Sequence, residues 1–92
     1  MRSVSKILSL INEQECIDFL AQMVQHKSYT ETAGERKLAE FMCEQMQELG
    51  IEAELQSVVG ERQNAIGRYV GTESGTSLLF NGHLDTNPVT EG

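Results

Sequence analysis

The stretch "TAGERKLAEFMCEQMQELGIEAELQSV", Thr32 to Val58, changes its hydrophobic period part-way along. Up to Leu49 the apolar residues Leu38, Phe41, Met42, Met46 and Leu49 recur at helical spacing, which places them on one face of an α-helix. Glu40, Glu44 and Glu48 line another face, and four-residue spacing of like charges reads as a solvated side rather than a cation site. Thr32 is a favoured N-cap, and Glu35 three residues later has the spacing of a capping box. Gly50 stands just past the last apolar position, where a left-handed C-cap favours glycine. Beyond it, Ile51, Ala53 and Leu55 alternate with Glu52, Glu54 and Gln56, the pattern of a half-buried strand. A helix that runs straight into a strand predicts an α/β fold.

The flanks extend this reading. Upstream, Asn12 with Glu15 repeats the capping arrangement, and Ile17, Leu20, Met23 and Val24 form the apolar stripe of an earlier helix that fades at "QHKSYT". Downstream, "VGER" reads as a turn, "NAIGRYV" as a second strand and "GTESG" as a loop. "TSLLFNG" reads as a third strand, and its consecutive Leu78, Leu79 and Phe80 predict burial on both faces. The expected architecture is two N-terminal helices on a partial mixed β-sheet.

The totals exclude several classes. The chain has 92 residues, 39% hydrophobic and 23% charged, which is the composition of a small globular segment. Fourteen acidic against seven basic residues give a formal charge of −7, with the basic residues scattered. Nucleic acid and anionic membrane surfaces are disfavoured as partners, since both require clustered Lys and Arg. Cys16 and Cys43 form no C-x-x-C pair and lie beside apolar helix positions, so both are expected as buried thiols in a reducing compartment. "MRSVSKILSLI" has too short an apolar stretch for a signal sequence, and no window approaches the ~20 apolar residues of a membrane span. Cytoplasm is the expected location.

The chemistry gathers in "LLFNGHLDTNPVTEG", Leu78 to Gly92. In a strand that persists to Asp85, His83 and Asp85 project to the same side. They would stand at its C-terminal end, where ligand sites of open α/β sheets gather. A neutral imidazole is a good zinc ligand, and a neighbouring carboxylate can orient it and raise its basicity. One imidazole and one carboxylate do not complete a catalytic zinc site, which has three protein ligands and water. The competing reading is a strand end whose His and Asp cap the following loop.

"LLFNGHLDTNPV" resembles the first metal motif of the zinc-dependent aminoacylase and carboxypeptidase family, which includes acetylornithine deacetylase, succinyl-diaminopimelate desuccinylase, glutamate carboxypeptidase and several dipeptidases. That pattern is an apolar strand, G-H-x-D, a small residue, a variable residue and proline; Gly82, His83, Asp85, Thr86 and Pro88 match it. "GERQNAIGRYVGTESGTSLLFNGHLDT" and "ERKLAEFMCEQMQELGIEAEL" are similar to the segments that lead into the motif, so the resemblance spans roughly Asn12 to Pro88. Two departures are Asn87, where the family often has an apolar residue, and "QHKSYT", which replaces an I-P-S type segment.

The resemblance implies that His83 is a zinc ligand and that Asp85 is an active-site carboxylate holding the metal-bound imidazole. It implies one or two zinc ions, with cobalt an alternative, and hydrolysis of the amide bond of an N-acyl amino acid or short peptide by a homodimer. The family's remaining ligands, its Glu-Glu pair and its dimerisation domain follow later in sequence. Residues 1–92 are therefore expected to be the N-terminal part of a metallohydrolase catalytic domain, inactive alone. The alternatives are a non-catalytic small α/β domain, or a degenerate relative, in which His83 and Asp85 are structural. Elsewhere, His26 reads as a solvated residue favoured at a helix C-terminus, and "GTESG" lacks the Lys-Ser/Thr ending of a phosphate loop. Ser28, Tyr29 and Thr30 offer hydroxyls with no base nearby in sequence, so no nucleophile is assigned.

Overall fold

A computed structural model describes residues 4–88. Its elements are α1 (Val4–Ser9), α2 (Glu13–Val24), α3 (Ala33–Glu48), β1 (Glu52–Val59) and β2 (Arg62–Arg68). The short α1 is additional to the expected helices. The α/β class holds in its coarse form, as helices with one antiparallel hairpin.

The helix ends show how local sequence sets the boundaries. Asn12 is extended, and its side-chain oxygen accepts the Glu15 N–H at 3.0 Å, satisfying one of the free amides that open α2. α3 closes in a Schellman arrangement: Gly50 has φ +84°, its N–H donates to the Gln47 carbonyl at 3.0 Å, and the Ile51 N–H donates to the Met46 carbonyl at 2.9 Å. α3 starts where expected, but its capping contacts differ. Thr32 is the N-cap, but its hydroxyl donates to the Tyr29 carbonyl at 2.6 Å and caps nothing. Glu35 closes no capping box with it, because its carboxylate is engaged elsewhere.

β1 and β2 pair from Glu52↔Arg68 to Val59↔Arg62, with an irregularity between Ser57 and Val59. The two-residue loop Gly60–Glu61 has positive φ at its glycine (+57°), as a hairpin turn with glycine at its first position needs. α3 lies against this hairpin. Leu38, Ala39 and Cys43 are buried there, with Ile51, Ala53, Leu55 and Ala65 half-buried on the facing side. Burying a side chain such as Leu38 contributes about 1.5–3 kcal/mol. The Gln47 amide donates to the Ala53 carbonyl at 3.1 Å and pins helix to strand. α2 joins through Phe19, whose ring centre lies 5.6 Å from that of Phe41. His26 is half-buried with its ring 4.5 Å from Phe41, not the freely solvated terminus expected.

Three expectations are corrected. Residues 76–82 are not a third strand: Leu78, Leu79 and Phe80 are 79%, 86% and 86% exposed, and no ladder forms with them among the described residues. A strand exists only through its neighbours, and the two-stranded hairpin offers these residues none, so the sheet is antiparallel rather than mixed. Cys16 is exposed while Cys43 is buried, because the α2 face bearing Ile17, Leu20 and Val24 is itself uncovered. The radius of gyration, 15.8 Å, exceeds the roughly 12 Å of a compact domain of this length. Among the described residues, no helix is long and apolar enough to cross a membrane.

Candidate functional site

Lacking a strand, the chain positions His83 and Asp85 by another device. The linker between α2 and α3 carries left-handed backbone at Lys27 (φ 49°) and Glu31 (φ 62°), and the residues between them run alongside 84–86. A parallel bridge joins Tyr29 to Thr86. The Thr86 N–H donates to the Ser28 carbonyl at 2.8 Å, and the Thr30 N–H donates to the Thr86 carbonyl at 3.1 Å. Ser28 is buried, and its hydroxyl donates to the Leu84 carbonyl at 2.6 Å. Residues 28–30 of "QHKSYT" thus hold the loop that carries His83 and Asp85 in place.

Within that loop the two candidate residues are brought together. His83 Nδ1 lies 2.8 Å from the Asp85 backbone carbonyl and 3.5 Å from Asp85 Oδ1. A carbonyl oxygen only accepts, so Nδ1 carries the proton and the Nε2 lone pair remains available. The His83 side chain is 83% exposed, whereas the Asp85 side chain is half-buried behind it. The other Asp85 oxygen, Oδ2, accepts the Thr30 hydroxyl at 3.0 Å. His83, Asp85, Thr86 and Asn87 border a shallow open hollow of about 520 Å³.

The Asp85 charge also acts on an ion pair that sequence reasoning missed. Glu35 is buried, with Oε1 accepting Arg62 Nε at 2.7 Å and Oε2 accepting Arg62 Nη2 at 3.1 Å and the Glu31 N–H at 3.2 Å. The Arg62 hydrogen bonds hold the Glu35 carboxyl below its ordinary range. Burial opposes them, the Glu31 amide and the Arg62 charge add to the lowering, and the Asp85 charge opposes it. Arg62 in turn is raised by the same pairing, and both members feel Asp85. The hint in the sequence was a Glu in a capping-box position followed 27 residues later by Arg62 at a hairpin start, a separation that no helical or strand period links.

As a donor set for zinc, the described residues supply one fitting member. The His83 imidazole has its Nδ1 proton engaged, its Nε2 open and a carboxylate behind it, which is how a ligating imidazole is oriented. Among the described residues no group of three His, Cys, Asp or Glu side chains is placed to hold a metal ion. No protein-family model, curated protein or solved structure matches the chain.

Proposed function

We propose that this chain is the N-terminal part of a zinc-dependent amidohydrolase acting on N-acyl amino acids or short peptides, with His83 as a metal ligand and Asp85 as the carboxylate that holds its imidazole. The reading also places the enzyme in the cytoplasm as a homodimer, with cobalt able to replace zinc. One observation carries it: His83 donates from Nδ1 to Asp85 and presents Nε2 to solvent at the mouth of an open hollow.

Zinc, where bound, lowers the pKa of its water and polarises the scissile carbonyl. The chain's own contribution is to orient. Asp85 keeps the Nδ1 proton in place through its backbone carbonyl, with a carboxylate oxygen 3.5 Å from the same nitrogen. The bridge between 28–30 and 84–86 fixes the backbone of the loop that carries the imidazole. The remaining ligands and the glutamate that shuttles the proton belong, in this reading, to other parts of the enzyme.

The test uses the protein encoded by the complete reading frame, as wild type, His83→Ala and Asp85→Ala. Zinc content and hydrolysis of N-acetyl amino acids are measured. The expected result is collapse of both for His83→Ala, and for Asp85→Ala a loss of about 10–100-fold in activity with part of the zinc retained. Wild-type rates in both variants, or a wild-type protein that neither binds zinc nor hydrolyses amides, would overturn the proposal.

A further inference from the structure

The Asp85 carboxylate has to be aimed. An aspartate side chain rotates about two torsions, and its partners decide where its oxygens lie. Oδ2 accepts the Thr30 hydroxyl at 3.0 Å, and that bond turns Oδ1 toward His83 Nδ1 at 3.5 Å. Thr30 Oγ1 also stands 3.4 Å from the Thr86 carbonyl, but its single hydrogen goes to the nearer, charged acceptor. The Thr30 backbone is held independently, through its N–H on the Thr86 carbonyl, while Ser28 grips Leu84 and Thr86 one step away. Backbone register and carboxylate orientation are therefore set by different atoms.

We propose that Thr30 is a positioning residue of this site: its hydroxyl fixes the Asp85 carboxylate so that the proton stays on His83 Nδ1 and the lone pair on Nε2. The tautomer follows from geometry alone; its use in catalysis rests on the metal-ligand reading of His83. With the hydroxyl removed, the carboxylate is free to turn to solvent. The Asp85 carbonyl then remains as the acceptor for Nδ1–H, without the adjacent charge that favours it.

Thr30→Val keeps the side-chain shape and the backbone bridge while deleting the donor, and Thr30→Ser restores a hydroxyl. Ring-nitrogen correlation spectra of the 92-residue chain at about pH 8, where imidazole is neutral, report the tautomer of each histidine. His26, whose Nδ1 lies 2.8 Å from the Gln22 carbonyl, is the internal comparator. The expected result is an Nδ1–H majority on His83 in wild type and Thr30→Ser. In Thr30→Val the Nε2–H population should rise about twofold or more, with His26 unchanged. An unmoved His83 tautomer in Thr30→Val overturns the proposal. So does a wild-type His83 that is mainly Nε2–H, a measurement that stands even where Thr30→Val fails to fold. Either outcome removes Thr30 from the site and leaves the metal reading to be judged by the zinc content of His83→Ala.

Discussion

Glu35 is a buried carboxylate whose two oxygens face a guanidinium and a backbone amide, and its protonation is tied to folding. Because Arg62 lowers its folded pKa, the linked stability is fully present above the unfolded carboxyl's value of about 4.3. That stability is lost as pH falls through the lower, folded value. Glu35→Gln should therefore lower the denaturation midpoint at neutral pH and match wild type increasingly well below about pH 4. Urea titrations at both pH values read this directly; an equal deficit in acid would mean that the ion pair is not the cause. Neither this pair nor the Thr30–Asp85 bond could be read from the sequence. Their members are 27 and 55 residues apart, and only the folded linker and hairpin bring them within reach. The proximity of His83 and Asp85 was legible because they stand two positions apart.

Elements show a different balance between local and tertiary control. α2, α3 and the hairpin were readable because period, caps and turn glycines are properties of short windows, and here packing agrees with them. The start of α3 at Thr32 was legible, but its capping box was not formed: Glu35 binds Arg62 and the Glu31 N–H instead of the N-cap amide. Gly34 sits in the first turn of that helix. Helix propensity alone favours Gly34→Ala by about 1 kcal/mol. The structure reverses the sign, since an added Cβ would collide with the Lys27 carbonyl oxygen and crowd that of His26 at 2.8 Å. Backbone atoms cannot swing aside as a side-chain end can. The expected outcome is a net loss of about 1–3 kcal/mol, read in a thermal melt as a midpoint lower by roughly 4 °C or more. A rise in the midpoint would show that α3 and the 26–27 turn separate more easily than their contact implies.

At the scale of the whole molecule, apolar surface is distributed unevenly. α3 and the hairpin share a small core, while Ile17, Leu20, Val24 and the Leu78–Phe80 run remain open to solvent. The third strand was misread for this reason: its composition describes a covered strand, and pairing is a property of the neighbours it has. Contiguous exposed apolar residues promote self-association. Replacing Leu79 and Phe80 together by serine should reduce dye binding and concentration-dependent association. It should leave the unfolding free energy within about 0.5 kcal/mol, as for other surface changes. A large drop in stability would show that these side chains already contribute to the core.

The unequal burial of the two sulfur atoms gives the molecule a built-in clock. Cys16, open on α2, is directly accessible to an alkylating reagent, whereas Cys43, on the buried face of α3, is reached only when the helix lifts from the hairpin. The ratio of their modification rates is thus a measure of how often the core opens, obtained under native conditions and without an added probe.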